Sequence, residues 1–189
     1  MKKINGLSVR ILNQIAPVLG HLAFKEQEAS QSLESDLEIH DCIEVFYIDD
    51  KDLRDESKKT EDIIKPSKKW HLQIFKGVNA TYYARIALDK DTNQWYVSSF
   101  YASKIAGLIN ENIEWVNTNV KEYENVTLLV ISSCLVLALI LEENVFKQVL
   151  IVDKPKGIQL EFRKLYSLNE FRQRIIQEKS IEGVTSSIK

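Results

Sequence analysis

VTLLVISSCLVLALIL, Val126 to Leu141, is sixteen residues without a charge. A helix that crosses a bilayer needs about 20 predominantly apolar residues. Sixteen helical residues rise only about 24 Å. The flanks are also wrong for a membrane anchor. Glu122 and Glu124 precede the run, Glu142 and Glu143 close it, and no Lys/Arg cluster or Trp/Tyr belt marks an interface. The run therefore reads as the dry centre of a folded domain. As one strand it would be about 53 Å long, so it must turn or change type. Val126 to Ile131 is rich in β-branched residues and predicts a strand. Leu135 to Leu141 holds better helix formers, with Ser132 or Ser133 as cap, and predicts a helix. Glu142 and Glu143 oppose the dipole of such a helix. The rival is two strands joined near Ser132-Ser133, a turn without Gly, Pro or Asn. We take strand then helix.

The whole chain has 189 residues, enough for one domain with a core of its own. It is 44% apolar and 28% charged, with a formal net charge of −2. A protein built around a large nucleic-acid footprint is usually basic, so composition weighs against that class. Cys42 and Cys134 are the two cysteines, too few for a disulfide framework. They predict thiols in a reducing cytoplasm. Met-Lys-Lys opens the chain, but Arg10, Asn13, Gln14 and His21 interrupt the apolar run a signal peptide needs, so no targeting segment is expected.

Ile4, Leu7, Ile11, Ile15, Val18 and Leu22 follow helical steps of 3 and 4 and predict an N-terminal helical arm within residues 1–35, kinked at Pro17. A single α+β domain is expected over 36–179. It opens with a strand from Ile39 to Ile48. Residues 49–69 hold seven acids and seven bases, a balance that predicts a mobile loop. Trp70–Lys76, Thr81–Leu88 and Gln94–Tyr101 are separated by short turns, which predicts an antiparallel meander over 70–101. A helix follows, capped by Ser103 and striped by Ile105, Ile109, Ile113, Val116 and Val120. After the apolar run, Lys147–Asp153 and Ile158–Leu165 predict a C-terminal hairpin. Ser167-Leu168-Asn169-Glu170 has capping-box spacing and starts a last helix running to about Glu178. Residues 180–189 read as a frayed tail.

The fold class expected is α+β: a mostly antiparallel sheet flanked by N-terminal, middle and C-terminal helices. The order of elements from residue 70 is similar to profilin-like and roadblock-like arrangements, an analogy of fold that carries no function.

Catalytic motifs are scarce. No G-x-S-x-G, GxGxxG or GxxxxGK[ST] occurs. His40-x-Cys42, alternating with Glu38 and Glu44, offers two zinc ligands, but a site usually needs three or four from the protein. A polar strand edge explains the pattern better. Asp153 followed by Glu161-Phe162-Arg163 resembles the acid and acid-x-Lys of PD-(D/E)xK nucleases, which hold Mg²⁺ in such a hairpin. Here Arg163 stands at the lysine position and is a poor base. Asp153 and Glu161 are therefore a remote catalytic candidate, and no cofactor is expected.

The richest surface is the meander. Residues 70–101 hold eight of the chain's seventeen aromatics, with Lys68, Lys69 and Arg85 among or beside them. Strand alternation sends about half of these rings to the core. The rest suit a protein contact, or stacking of bases with cations on phosphates. Trp70, Arg85, Trp95, Tyr96, Lys68 and Lys69 are the binding candidates. The expectation is a non-enzymatic interaction module or complex subunit, cytoplasmic and oligomeric, with nucleic-acid binding as the alternative and no membrane span.

Overall fold

The run Val126–Leu141 folds back on itself as two strands. A computed structural model of the chain describes residues 9–28, 37–76, 79–102, 104–143 and 146–185. In chain order they form α1 (Val9–Glu28), β1 (Leu37–Tyr47), α2 (Asp50–Arg54), α3 (Thr60–Ile63), β2 (Lys65–Lys76), β3 (Asn79–Leu88) and β4 (Trp95–Ala102). Then come α4 (Lys104–Asn119), β5 (Asn125–Ile131), β6 (Val136–Glu143), β7 (Phe146–Asp153), β8 (Leu165–Ser167) and α5 (Leu168–Thr185). The fold is the expected α+β. Its strands make one eight-stranded sheet in the order β4-β3-β2-β1-β5-β6-β7-β8. Every neighbouring pair is antiparallel except β1 and β5, which run parallel through Val45–Leu128, Phe46–Leu129 and Tyr47–Val130. Two antiparallel meanders therefore start side by side at the centre and walk outward.

The helix expected over Leu135–Leu141 is corrected to the strand β6. A turn of 3₁₀ helix at Ser132–Cys134 and a left-handed Leu135, with φ of 53°, close the β5–β6 hairpin without Gly or Asn. A leucine in that region is strained by about 1–2 kcal/mol, and its side chain is 75% exposed. Burial of the strands outweighs this. Val136 to Leu141 are all buried. Leu137, Leu139 and Leu141 face the cluster around Ile109, Ile113 and Val116 of α4. Val136, Ala138 and Ile140 face the opposite cluster, with Phe171 and Ile175 of α5. A strand apolar on both faces has the same composition as a buried helix, so periodicity does not separate them.

The N-terminal helix keeps Pro17 within it. Among its described side chains Ile15 and Leu19 are buried, and they pack with Cys42, Leu72, Ile74, Tyr82, Ala84 and Ile86. Val18, placed on the expected stripe, is exposed instead, and Leu19 takes that place. Ile4, Leu7 and the cap Ser103 lie outside the described residues. β1 sends Cys42 to the α1 cluster and lets Phe46 pack on the α5 cluster. The sheet thus has α1 and α5 on one face and α4 on the other.

The segment 49–69, expected as a mobile loop, carries α2, α3 and the start of β2. Leu53 and Ile63 are fully buried against α5. The carboxylate of Asp52 sits between Lys58 and Lys65, each at 2.5 Å, and Lys65 also meets Asp49 at 2.9 Å. Hydrogen bonds from the two lysines hold the Asp52 carboxyl down to about 2, against its ordinary 3.8. This tether is complete above pH 3.8 and is lost as pH falls through 2. Arg172 of α5 reaches the same segment. Its guanidinium donates to the carbonyl oxygens of Asp52, Leu53, Asp55 and Lys58 at 2.6–3.2 Å. A balanced charge count describes a solvated loop only if the charges have no fixed partners, and here Asp49, Asp52, Lys58 and Lys65 have them.

The C-terminal hairpin forms between β7 and β8, but its second strand starts at Leu165, with Leu150 opposite Leu165 and Gln148 opposite Ser167. Residues 158–164, expected within that strand, cross as an irregular loop. Ser167 Oγ accepts the amide of Glu170 at 3.2 Å, as the capping box predicts. The Glu170 carboxylate turns instead to Arg174 at 3.0 Å. α5 extends to Thr185, past Glu178.

Replacing Arg172 by Met would leave four carbonyls without their charged donor. We expect a loss of about 3 kcal/mol or more in urea unfolding, with the far-UV spectrum of the folded state kept.

Candidate functional site

The register of β2, β3 and β4 sorts the aromatic meander by face. Trp70 pairs with Ile86, Leu72 with Ala84 and Ile74 with Tyr82. These side chains point toward α1, together with Trp95, Val97 and Phe100, and Tyr82 stacks on Phe100 with ring centroids 5.3 Å apart. Phe75 is also buried. Trp70 and Trp95, singled out from sequence as binding residues, are thus half-buried members of the core cluster under α1. A continuous exposed aromatic sheet is not what these strands present.

The other face holds a different set. Lys69 lies opposite Ala87, which lies opposite Tyr96. On the next rung His71 lies opposite Arg85, and Arg85 opposite Ser99. On the third, Gln73 lies opposite Tyr83. Lys69 is exposed and the Tyr96 ring is 48% exposed. Lys68 is exposed beside them, at a bulge where its φ is 57°. Of the six binding residues named from sequence, Lys69, Arg85 and Tyr96 share this face.

His71, Gln73 and Tyr83, which the sequence does not single out as binding residues, stand on the same face. His71 is 1% exposed, and its ring stacks on Tyr83 at 5.0 Å and 18°. The Arg85 guanidinium carbon stands 5.9 Å from the centre of the same Tyr83 ring. Gln73 is fully buried and donates through Nε2 to the carbonyl of Ala106, in the first turn of α4, at 3.2 Å. Among the described residues five buried polar side-chain atoms have no hydrogen-bond partner, and four of them belong here: both ring nitrogens of His71, Oε1 of Gln73 and Nε of Arg85. Desolvation, with the charge of Arg85 added, pushes the His71 imidazole down to about 3, so it stays neutral at physiological pH. A signal was present in the sequence. His71 and Gln73 alternate with Trp70, Leu72 and Ile74, so one face of a strand is polar while the other is apolar.

The remaining candidates lie apart. β1, which carries His40 and Cys42, is flanked by β2 and β5 and is a central strand, not a polar edge. A register shift between Ile39 and Cys42 also breaks the alternation on which the shared face of Glu38, His40, Cys42 and Glu44 rested. Cys42 is buried beside Ile15 and Leu19, and the placement of the His40 side chain is outside what is described. Neither cysteine is in a disulfide, and among the described residues no group of three His, Cys, Asp or Glu is disposed to hold a metal. Asp153 ends β7, and its Oδ1 accepts the amide of Lys154 at 2.9 Å. Glu161 sits on the irregular loop, not on a strand, exposed and paired with Lys164 at 2.6 Å. Among the described residues no helix is long and apolar enough to cross a membrane.

The neutral, buried His71 makes a pH prediction. Its folded value lies below its unfolded one, so the unfolded chain binds the extra proton first. Stability should fall as pH drops below about 6.5 and level off near 3, with a slope approaching 1.4 kcal/mol per pH unit from this group. The slope between wild type and His71→Phe, from urea midpoints at several pH values, isolates it. Equal slopes would mean that His71 is solvated.

No family model, curated protein or solved structure matches this chain.

Proposed function

We propose that this protein is a non-enzymatic interaction module that associates through its outer strand β4, working in the cytoplasm, where Cys42 and Cys134 stay thiols. The observation that carries this reading is the edge itself. Among the described residues β4 ends the sheet and pairs with β3 alone, and its eight residues Trp95–Ala102 contain no charge, no Pro and no Gly. Natural proteins normally block a long outer strand with charge, proline or a cover, because its open backbone groups pair readily with another strand. The opposite edge follows that rule, since β8 has only three residues. Tyr96, 48% exposed on β4, supplies an aromatic anchor of the kind that dominates protein contacts. A second copy of the chain is the favoured occupant. Antiparallel β4–β4 pairing gives an isologous dimer with one continuous sheet, and two-fold dimers are the commonest assembly.

A second reading is favoured by Lys69, Arg85 and Tyr96 standing on one face on adjacent rungs. That is a small stacking and phosphate-contacting surface for single-stranded nucleic acid. It predicts affinity that falls steeply with salt.

The test is sedimentation velocity on wild type and on Tyr96→Glu with Ser98→Lys, both exposed positions. We expect a wild-type dimer and a folded variant monomer whose unfolding midpoint, unlike that of the wild type, does not vary with protein concentration. A wild-type monomer at high micromolar concentration, or a variant that stays dimeric, overturns association through β4. Salt-sensitive binding of a single-stranded oligonucleotide, lost in Lys69→Glu, would move the function to the second reading.

A further inference from the structure

The irregular loop 158–164 passes the end of β7 and leaves a cleft of about 230 Å³ against α4. Drug-sized ligands fill clefts of about 300–1,000 Å³, so this one suits a smaller molecule. Its walls carry charges of both signs. Glu111 comes from α4, Asp153 from the end of β7 and Arg163 from the loop. Leu108, Val152 and Phe162 supply its apolar surface. Nearby charges are engaged elsewhere: Glu161 pairs with Lys164 at 2.6 Å, and Lys154 Nζ donates to the carbonyl of Ile158 at 2.5 Å. Glu111, Asp153 and Arg163 have no ion-pair partner among the described residues.

The loop wall is held in place. The Glu161 amide donates to the hydroxyl oxygen of fully buried Tyr166 at 2.7 Å, and Lys154 Nζ stands 5.2 Å from the centre of the Phe162 ring. Arg163 follows with a φ of 57°, a left-handed conformation that disfavours residues other than Gly, Asn or Asp. Such strain persists where the surroundings impose it, and it gathers at ligand sites.

These groups select the ligand. A simple carboxylic acid would meet Glu111 and Asp153 with no counter-charge, and a simple amine would leave Arg163 unmatched. A small zwitterion answers both. A free α-amino acid carries an ammonium with three donors beside a carboxylate that a guanidinium binds in bidentate fashion. Asn112 gives its Nδ2 to the Leu108 carbonyl at 2.8 Å, which leaves its Oδ1 as a further acceptor on the cleft wall. An apolar side chain would lie against Leu108, Val152 and Phe162, the last 54% exposed.

We propose that this cleft binds a free α-amino acid with an apolar side chain, its ammonium held by Asp153 and Glu111 and its carboxylate by Arg163. The cleft lies at the end of β7 and does not rest on association through β4.

The experiment is an amide NMR titration of the full chain with L-leucine at constant ionic strength. Two half-ligands run beside it: isopentylamine, which lacks the carboxylate, and 4-methylpentanoate, which lacks the ammonium. Saturable shifts at Glu111, Asp153 and Arg163 are expected with leucine, which should bind about fivefold or more tighter than either half. Asp153→Asn keeps an oxygen for the Lys154 amide but loses the charge. It should weaken leucine and isopentylamine about fivefold or more and spare 4-methylpentanoate. Arg163→Asn suits the left-handed backbone and should weaken leucine and 4-methylpentanoate while sparing isopentylamine. The amide spectrum of each variant confirms that it is folded. No saturable shift with leucine at millimolar concentration overturns the site. So does a half-ligand that binds as tightly as leucine, or leucine binding undiminished in either variant.

Discussion

The parallel pairing of β1 with β5 is the constraint on which the rest of this molecule depends. It sets the first strands of two antiparallel meanders side by side with the same direction. Each meander then grows outward, so the four central strands β2, β1, β5 and β6 all have neighbours on both sides. A parallel pair also needs a crossover, and α4 makes it. To return from the outer strand β4 to the centre, the chain lays α4 across one face. Ile109, Ile113 and Val116 pack there with Ile43, Val45, Leu128 and Leu139. α5 then covers the other face of the second meander, while α1 covers that face of the first.

That crossover also explains the polar cluster. The first turn of α4 comes down on β2, where Gln73 meets the carbonyl of Ala106. Gln73 is therefore covered by a helix that arrives from 33 residues away, as measured by the Gln73–Ala106 bond, and His71 on the same face is stacked on Tyr83. The polar atoms keep their places on the strand, but water is displaced from them. On the far face the same strands meet α1, and their aromatics become core. One set of strands thus gives an apolar face and a polar face, and the helices decide which atoms are left wanting partners.

The charged segment between β1 and β2 makes a related point. Its composition is that of a solvated loop. Its order comes from Leu53 and Ile63, which reach the α5 core, and from Arg172, which lies 114–120 residues away along the chain from the carbonyls it binds. A guanidinium that satisfies four carbonyls removes much of the cost of burying an irregular backbone. Local composition counts charges and cannot count partners.

Elements whose signal is local are legible in the residues alone. The meander is written in short turns between β-branched and aromatic runs, α4 in the steps from Ile109 to Val116, and the start of α5 in the Ser167 cap. The strand-forming parts of the run Val126–Leu141 also read as interior, since its length and acidic flanks unsuit it to a membrane, and both are buried on either side of the exposed turn at Ser132–Leu135. What that run becomes depends on packing against distant parts of the chain. A strand buried on both faces has no polar alternation to reveal its period, and the turn at Leu135 uses a strained leucine in place of the usual glycine or asparagine. The candidate site divides in the same way. Lys69, Arg85 and Tyr96 were legible because they are charged or aromatic on predicted strands. Burial of His71 and Gln73, and the loss of Trp70 and Trp95 to the core, follow from which helix packs on which face, and that is set by the direction of β5 beside β1.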